Sequence, residues 1–338
     1  MTGLSDTFNR PINYLRISVT DRCNLRCIYC LPPDGIHLLP HGEVLTYEEI
    51  SGVARLAAEL GINKVRLTGG EPLVRARLQE LVAMLAGIDG IDDISLTTNG
   101  VHLKQHAAEL KQAGLKRVNV SLDSLKRDKF ERISRQDKLN DVLQGIEASK
   151  TCGLNPVKVN MVVMRGINDD EVAEFARLTV TEGWHVRFIE LMPFATDNPP
   201  DGHSIGSKAN LHPAFVSAGE IKERLKRLGN LEPSLPITGN GPARYFRLAQ
   251  AEGTIGFITP VSQHFCFSCN RLRLTAEGKL RPCLLSDREI DLRRPLRSGA
   301  SPEELKEVII EAIQEKPQKH ELTQARASKK RLMSQVGG

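Results

Sequence analysis

Six short apolar runs rich in Val, Ile and Leu recur through the first two thirds of the chain and alternate with stretches of helical periodicity. Runs of this kind are typical of strands that are buried on both faces of a parallel sheet. Their alternation with helices indicates repeated βαβ units. The predicted strands are Tyr14–Thr20, Lys64–Gly70, Asp93–Thr98, Arg117–Leu122, Val157–Val163 and Val186–Met192.

The stretches between these strands carry recognisable helix starts. Thr46 with Glu49, and Asn168 with Glu171, have the spacing of residues that cap a helix N-terminus. Six strand–helix units are too few for a closed eight-fold barrel. We therefore predict an α/β fold with a partial (β/α)6 barrel of the TIM type, and an open doubly wound sheet is the alternative.

The pattern changes after Met192. Residues 193–215 are rich in Pro, Asp, Asn, Gly and Ser and predict a long loop, and Ser217 with Glu220 predicts a short capped helix to about 228. From 231 onward, alternating residues predict antiparallel hairpins, and a capped helix begins near Ser301. We expect a barrel domain over residues 1–230 and a C-terminal region over residues 231–338. The hairpin strands are Ala243–Ala249, Thr254–Val261, Asn270–Thr275 and Lys279–Cys283.

Charge and composition exclude several classes of function. The 338 residues carry a formal net charge of +5, and the basic residues are spread along the chain. This mild excess suits a small anionic substrate, and the run Lys329-Lys330-Arg331 is too short to indicate nucleic-acid or membrane binding. No apolar segment approaches the length of a membrane span. We therefore expect a cytoplasmic protein with no nucleic-acid or membrane partner.

Three of the seven cysteines, Cys23, Cys27 and Cys30, follow the first predicted strand directly. A tight loop can direct three thiolates toward one point, and thiolates select iron–sulfur clusters or zinc over magnesium or calcium. A structural zinc site normally has four ligands, whereas three leave a position open for a reacting molecule. The alternative is a zinc knuckle that takes its fourth ligand from His37 or His41.

Polar or glycine-rich residues recur at the ends of the next predicted strands. Gly69–Pro72 follows the second strand, Thr97–Gly100 the third and Ser121–Asp123 the fourth. Paired glycines commonly mark a turn, but after a strand they also let the main chain approach a ligand closely. Because the chemistry of a barrel lies at the C-terminal ends of its strands, these segments are candidate ligand contacts.

Cys266, Cys269 and Cys283 form a second group of three thiols, with Arg271–Arg273 next to the first two. One interpretation is a zinc ribbon in which His264 supplies the fourth ligand. The other interpretation is a second iron–sulfur cluster, because each of the two cysteine groups has one ligand fewer than a closed site requires. Two such sites predict two open irons that face one cavity, one for the initiator of the reaction and one for the substrate.

The pattern C-x3-C-x-aromatic-C, with Tyr29 as the aromatic residue, resembles the radical S-adenosylmethionine superfamily. The resemblance implies that Cys23, Cys27 and Cys30 hold a 4Fe–4S cluster whose open iron binds the methionine group of S-adenosylmethionine. An electron then splits the sulfonium and gives a 5′-deoxyadenosyl radical. The GGEP sequence at Gly69–Pro72 matches a cofactor-binding stretch of that superfamily. The implied cofactor contacts are Tyr29, Gly70, Glu71, Ser121 and Met192.

With the second cysteine group, Arg271–Arg273 and the terminal Gly337-Gly338, the chain from about Asn13 to its end resembles the GTP 3′,8-cyclase family of molybdenum cofactor biosynthesis. The resemblance implies a second 4Fe–4S cluster on Cys266, Cys269 and Cys283 that binds the guanine of GTP. The implied GTP contacts are Arg16, Lys64, Arg66, Thr97, Lys158, Arg271, Leu272 and Arg273. The implied catalytic residues are Arg271, Arg273, Gly337 and Gly338.

The implied reaction converts GTP to (8S)-3′,8-cyclo-7,8-dihydroguanosine 5′-triphosphate. The radical takes H3′ from the ribose, the C3′ radical attacks guanine C8, and reduction with protonation completes the product. The implied partners are an electron donor protein and the cyclic pyranopterin monophosphate synthase that receives the product. A homodimer is compatible with the sequence, which does not determine the oligomeric state.

Position alone predicts that the terminal Gly337-Gly338 is a frayed end. The family resemblance instead implies that the tail reaches the active site. On this hypothesis, Gly338→Ala or deletion of the tail abolishes cyclisation and leaves both clusters intact. Two alternative functions are another radical S-adenosylmethionine enzyme with an auxiliary cluster, such as a peptide maturase, and a zinc-stabilised module that binds nucleotides or RNA without turnover.

Overall fold

The computed structural model describes residues 4–193, 213–238, 241–320 and 331–337. Most of the predicted loop over residues 193–215 lies outside the described residues. The strands are β1 Tyr14–Ser18, β2 Lys64–Thr68, β3 Asp93–Thr98, β4 Arg117–Ser121, β5 Lys158–Val163, β6 His185–Glu190, β7 Glu232–Pro233, β8 Arg244–Arg247, β9 Thr254–Ile258, β10 Arg271–Leu274, β11 Lys279–Arg281 and β12 Ile290–Asp291. The helices are α1 Tyr47–Glu59, α2 Leu78–Ala86, α3 Leu103–Gln112, α4 Arg127–Ser134, α5 Leu139–Thr151, α6 Val172–Thr181, α7 Ala218–Leu225, α8 Arg293–Arg297 and α9 Pro302–Gln314.

Strands β1 to β6 lie side by side in chain order, and every neighbouring pair is parallel. Each observed strand overlaps the strand predicted from the sequence. Helices connect them, as parallel neighbours require a crossover rather than a hairpin. The α/β fold with six consecutive βα units is therefore confirmed.

The C-terminal region extends this sheet at both edges. Strand β9 pairs in parallel with β6, and β10 pairs in parallel with β1, so eight parallel strands are contiguous in the described residues. The predicted hairpins are also present, because β9 pairs with β8 and β10 with β11 in antiparallel fashion. The sequence pattern predicted only the hairpin partner of each strand, since the partner on the other edge is distant in the chain.

Three predicted helix caps are confirmed and one is wrong. Thr46 with Glu49 forms a capping box, as do the corresponding Ser and Glu residues at the starts of α7 and α9. Asn168 and Glu171 do not cap α6. Asn168 instead donates to the main-chain carbonyl of Asp123 at 2.8 Å, and Glu171 accepts from the main-chain N–H of Leu125 at 2.8 Å. Both side chains therefore join the segment after β5 to the end of β4.

The parallel strands separate an apolar face from a polar face. Leu15 and Ile17 of β1 belong to the hydrophobic core that packs against the helices, and Leu272 of β10 does the same. Arg16 and Arg273 occupy the alternate positions of these strands. They lie on the polar face, because successive side chains of a strand point to opposite faces of the sheet. In the described part of the chain, none of the helices combines the length and apolar character that crossing a bilayer requires.

Candidate functional site

The polar face of the sheet lines a cavity of ≈ 230 Å³. Eight strands contribute alternate side chains to its wall, so the cavity is a product of the whole parallel sheet. Both cysteine regions reach it as well. The side chains that line it include Tyr14, Arg16, Tyr29, Arg66, Thr97, Ser121, Asn160, Arg187, Met192, Cys266, Cys269, Arg271, Arg273, Cys283, Lys316 and Met333.

A row of three arginines crosses this wall. Arg16 lies directly opposite Arg273 in β10 and opposite Arg66 in β2. Burial, followed by the positive charge of Arg271, lowers the pKa of Arg273 to about 9, and burial likewise lowers the pKa of Arg16. None of the described residues that line the cavity is an aspartate or a glutamate. The wall therefore concentrates positive charge that an anionic ligand would neutralise.

Several polar atoms of the wall are buried and make no hydrogen bond within the described residues. They are the hydroxyl groups of Tyr14 and Thr97, Oδ1 of Asn160 and Nε of Arg187. Buried polar groups normally have a partner, so these atoms indicate a polar ligand in the cavity. Of these four residues, only Thr97 is among those predicted from the sequence.

Arg187 was missed, although the sequence contains a signal for it. It is a charged residue inside the apolar run of β6, a strand predicted to be buried on both faces. Its Nη2 donates to Oδ1 of Asn119, and burial lowers its pKa to about 10. A cation in the middle of a buried strand requires a polar environment, and the cavity provides it.

The first cysteine loop starts just beyond β1 and is fixed to α4 and β4. The main-chain N–H of Arg26 donates to the carbonyl of Ser134 at 2.9 Å. The hydroxyl of Tyr29 donates to Oδ2 of Asp123 at 2.7 Å. Burial raises the pKa of Asp123 to about 6, and Oδ1 of the same carboxyl accepts from the N–H of Val162 at 2.8 Å. Tyr29 therefore links the cysteine loop to the ends of β4 and β5.

The three thiols of this loop favour the protonated form when no metal is bound. Burial raises the pKa of Cys23 to about 11 and that of Cys30 to about 12, and the pKa of Cys27 is raised well above its usual value for the same reason. Neighbouring thiols contribute further to the raised pKa of Cys27 and Cys30. A metal cluster that binds three thiolates replaces these protons, so the donor set fits an iron–sulfur cluster.

The paired glycines after β2 pack against this loop. A Cβ on Gly70 would lie 2.4 Å from the carbonyl oxygen of Arg22, and a Cβ on Gly69 would lie 2.6 Å from that of Thr20. The predicted close approach of the main chain is therefore present. The segment that approaches the two glycines is the main chain that leads into Cys23. Larger residues at these two positions would displace the cysteine loop.

Glu71 is buried and ties the same turn to the end of β3. Its carboxylate accepts hydrogen bonds from Thr98 Oγ1 at 2.6 Å, from the N–H of Asn99 at 2.6 Å and from the N–H of Leu73 at 3.0 Å. Burial raises the pKa of Glu71 to about 7. Neither Gly70 nor Glu71 lines the cavity, so their predicted contact with the cofactor remains a prediction.

The second cysteine group lies between β10 and the segment after α9. Cys266 and Cys269 precede β10, and Cys283 follows β11. Arg10 supports the first of these segments, because its Nη1 donates to the carbonyl of Cys266 at 2.7 Å. Lys316 supports the segments next to Cys269 and Cys283, because its Nζ donates to the carbonyl of Arg271 at 2.8 Å and to that of Pro282 at 2.6 Å.

Electrostatics differ between the two cysteine groups. Burial alone would raise the pKa of Cys269, but the charges of Arg271 and Lys316 outweigh burial and lower this pKa to about 6. His264, the predicted alternative ligand, packs its ring against that of His320 with centroids 5.5 Å apart. In the portion of the chain that is described, no three His, Cys, Asp or Glu side chains are arranged around a single metal ion.

The two cysteine groups meet at one apolar cluster. Cys30 and Cys283 both pack against the cluster of Leu285, Met333 and Val336. Met192 packs against the same cluster and lines the cavity. Two segments that are more than half the chain apart therefore face one space, although neither sequence motif alone specifies this.

The C-terminal tail enters this space. The carbonyl of Gly337 accepts a hydrogen bond from Nη2 of Arg16 at 2.8 Å, and Nη1 of Arg273 lies 3.5 Å from the same oxygen. Gly337 has a φ of +73°, and a Cβ at this position would lie 2.8 Å from Cγ2 of Thr68. Gly338, which the resemblance also implicates, lies outside the described residues.

Three of the residues predicted to contact GTP do not line the cavity. Lys64 is the first residue of β2, at the opposite end of the strand from the cysteine loop. Lys158 is buried at the start of β5, its Nζ donates to the carbonyl of Thr238 at 2.6 Å, and burial lowers its pKa to about 6. The side chain of Leu272 is part of the hydrophobic core, so a ligand could reach only its main chain.

Two family models match the chain. Residues 17–179 match the radical SAM superfamily, and residues 184–322 match Molybdenum Cofactor Synthesis C. The first match contains the cysteine loop after β1, and the second contains the cysteines before β10 and after β11.

Solved structures share the fold at low sequence identity. The chain superposes on Streptococcus suis SuiB bound to S-adenosylmethionine with a TM-score of 0.58 and 12% identity, over 84% of this chain and 64% of that one. It superposes on SuiB bound to its precursor peptide SuiA with a TM-score of 0.55 and 13% identity, over 81% of this chain and 60% of that one. These identities establish a common fold only.

Curated relatives match along their full length. GTP 3′,8-cyclase of Pelotomaculum thermopropionicum is 52% identical over 337 residues, which cover 99% of this chain and 100% of the relative. The enzyme of the same name from Moorella thermoacetica is 52% identical over 335 residues, 99% of this chain and 100% of the relative. That from Thermodesulfovibrio yellowstonii is 53% identical over 317 residues, 93% of this chain and 95% of the relative. The chain therefore belongs to the GTP 3′,8-cyclase family of radical S-adenosylmethionine enzymes.

Proposed function

We propose that the protein converts GTP to (8S)-3′,8-cyclo-7,8-dihydroguanosine 5′-triphosphate, the first step in the biosynthesis of molybdopterin. Relatives at about half identity over the full chain carry the name of this activity. The observation that carries the proposal is the cavity wall, which combines both cysteine regions with the row Arg273, Arg16 and Arg66 and has no described carboxylate. This wall suits a triphosphate better than a peptide or a neutral substrate.

A 4Fe–4S cluster and S-adenosylmethionine belong to the radical SAM family, and Cys23, Cys27 and Cys30 would hold that cluster. Together, when bound, they supply a 5′-deoxyadenosyl radical. Tyr29, Ser121 and Met192 line the same cavity and would form the cofactor side of the site. Gly70 and Glu71 would act on the cofactor from the turn that supports the cysteine loop.

The second group, Cys266, Cys269 and Cys283, would hold a second 4Fe–4S cluster that binds the guanine base. The lowered pKa of Cys269 fits a thiolate ligand. Nη2 of Arg271 lies 3.7 Å from Sγ of Cys269, so its positive charge is next to this cysteine group. Three positively charged side chains, Arg16, Arg66 and Arg273, would bind the phosphates and ribose.

The chain's own contribution to the reaction is orientation and the exclusion of water. The tail borders the cavity, because Gly337 lies beside Arg16 and Arg273 while Met333 and Val336 pack against the two cysteine regions. A substrate held in this way would be restricted to few reacting geometries, and the surrounding side chains would limit the access of water. Arg271, Arg273 and the glycine tail are accordingly our candidates for catalytic residues.

The reaction and the family's pathway imply two partner proteins. An electron donor protein would supply the reducing electrons, and cyclic pyranopterin monophosphate synthase would take the product. A homodimer and a cytoplasmic location are predictions of the same kind.

The test begins with anaerobic reconstitution, followed by addition of dithionite, S-adenosylmethionine and GTP. Mass spectrometry should find a cyclised isomer of GTP, and deuterium from 3′-labelled GTP should appear in 5′-deoxyadenosine. Iron near eight atoms per chain would support two clusters of four irons, since each 4Fe–4S cluster contributes about four. Colourless protein with stoichiometric zinc would contradict the proposal and favour the binding module.

Arg66→Ala tests the anion site within the same experiment. Its charge-assisted bonds to a phosphate would be lost, so the Kd for GTP should rise by about tenfold or more. Arg127→Ala is the matched control, because Arg127 is exposed at the start of α4 and pairs with Asp137. Equal GTP affinity in the two variants would argue against a phosphate contact at Arg66.

A further inference from the structure

Arg331, at the start of the described tail, is held by two carboxylates. Its Nε donates to Oε1 of Glu289 and its Nη2 donates to Oε2 of the same carboxylate, both at 2.8 Å. Nη2 also pairs with Oε1 of Glu277. The guanidinium side chain is only 14% exposed. Two parallel bonds to one carboxylate fix the orientation of an arginine as well as its position.

Both acidic partners belong to the β-structure that carries the second site. Glu277 lies in the turn between β10 and β11, and Glu289 directly precedes β12. Glu289 also pairs with Arg281, whose side chain is fully buried, and Glu277 is itself buried. Loss of Arg331 would leave these carboxylates with less compensating charge, and breaking a buried ion pair is costly.

From Arg331 the tail crosses directly to the cavity. Met333 and Val336 are buried against Leu285, and the main chain of Ser334 hydrogen-bonds to the thiol of Cys30. Gly337, six positions after Arg331, then reaches Arg16 and Arg273. The ion pairs therefore determine where the tail starts its path, and the apolar residues determine where that path leads.

We propose that Arg331 is a positioning residue that docks the C-terminal tail on Glu277 and Glu289 and so keeps Gly337 against Arg16 and Arg273. The docking concerns the chain alone and needs neither substrate nor cluster chemistry. Its consequence for turnover rests on the proposed function. The nature of the contact also makes a conservative substitution informative, because lysine retains the charge but cannot form the two parallel bonds.

Docking is measured by carboxypeptidase digestion of the reconstituted full-length protein without substrate, with the released C-terminal residues followed by mass spectrometry. The wild-type tail should be protected. Arg331→Ala should release Gly337 and Val336 at least about tenfold faster, because a buried ion pair is lost. Arg331→Lys should be intermediate, and Glu277→Gln should have a smaller effect in the same direction. Arg127→Ala, an exposed ion-paired arginine on α4, should match the wild type.

The double variant Arg331→Ala/Glu277→Gln separates docking from a general loss of stability. If the two side chains act through one contact, the double variant should lose its tail no faster than Arg331→Ala alone. Additive acceleration would overturn the contact. If Arg331→Ala does not fold, the other variants provide the test. The rate of tail release should then increase from the wild type to Glu277→Gln and further to Arg331→Lys. Release from Arg331→Ala at the wild-type rate would overturn the proposal.

Turnover is then measured on the same samples. Arg331→Ala should keep the iron content of the wild type and form at least about tenfold less cyclised product. If the tail of Arg331→Ala is digested rapidly but product formation is unchanged, the docking contact is supported and the positioning role in turnover is contradicted. If the wild type forms no cyclised GTP, the proposed function fails, whereas the digestion rates still decide whether Arg331 docks the tail.

Discussion

Arg16 and Gly337 are 321 positions apart, yet Nη2 of Arg16 donates a hydrogen bond to the Gly337 carbonyl at 2.8 Å. The contact joins the first strand of the sheet to the end of the chain. It also places the tail against the arginine row, since Arg273 lies opposite Arg16 in the next strand. The described end of the tail therefore lies against the wall of the cavity.

Gly337→Ala should lower cyclisation by at least about tenfold. An L-residue in the left-handed region costs about 1–2 kcal/mol, and the new Cβ would also lie 2.8 Å from Cγ2 of Thr68. The measurement is product formed per chain at equal iron content. Gly166→Ala is the control, because Gly166 has a φ of +70° with no atom within 4 Å of its Cβ position. Equal activity of the two variants would refute the need for a close approach at Gly337.

Gly70→Ala should prevent the first cysteine loop from forming its metal site. The added methyl would lie 2.4 Å from the carbonyl oxygen of Arg22, and this neighbour is main chain that cannot move aside without displacing Cys23. Iron bound after reconstitution should fall by about half if the second site forms a 4Fe–4S cluster of its own. Gly52→Ala should bind as much iron as the wild type, because no atom lies within 4 Å of its Cβ position. Full iron in Gly70→Ala would be inconsistent with this packing.

Glu71 should make the protein less stable as the pH rises from about 4.5 to about 7. Burial raises its folded-state pKa to about 7, so the folded state binds a proton that the unfolded state has released. The stability that Glu71 contributes is fully present below the pKa of its carboxyl in the unfolded state. It is lost as the pH rises through the pKa of the same carboxyl in the folded state. Its upper bound is about 3 kcal/mol.

The check compares the wild type with Glu71→Gln by thermal unfolding at pH 5 and pH 8. Glutamine cannot ionise, so the stability of the wild type relative to the variant should decrease between the two pH values. A difference that stays constant would show that Glu71 does not titrate in this range.

Lys316→Met should weaken the second cysteine group and leave the first intact. Its ammonium donates to the carbonyls of Arg271 and Pro282, and hydrogen bonds to charged groups contribute about 1.5–3 kcal/mol each. Iron should be lost from the second site, as seen by a change in the spectrum of the reduced protein, while S-adenosylmethionine cleavage persists. Lys306→Met is the control, since Lys306 pairs only with Glu59 on α1 in the described contacts. Identical spectra for both variants would contradict this role.

The sequence by itself determined the six βα units, the three capping boxes and the two cysteine groups. These features are local: a buried strand needs a run of apolar residues, a capping box needs two residues three positions apart, and a cysteine loop needs a fixed spacing. The family resemblance implies Thr97, Arg16 and Arg66 as substrate contacts, and the structure places all three on the wall of the cavity.

Only the tertiary structure decided how these parts meet. Local pattern predicted the hairpin partners of β9 and β10, but their parallel pairing with β6 and β1 joins strands far apart in the chain. That pairing brings Arg273 beside Arg16 and Cys283 close to the space that Cys30 faces. Arg187 and Arg331 acquire their roles in the same way. The sequence marks Arg187 as an unusual charge in a buried strand, but it does not give the partners of either arginine. Asn119 for Arg187, and Glu277 and Glu289 for Arg331, are brought near by tertiary packing and not by spacing along the chain.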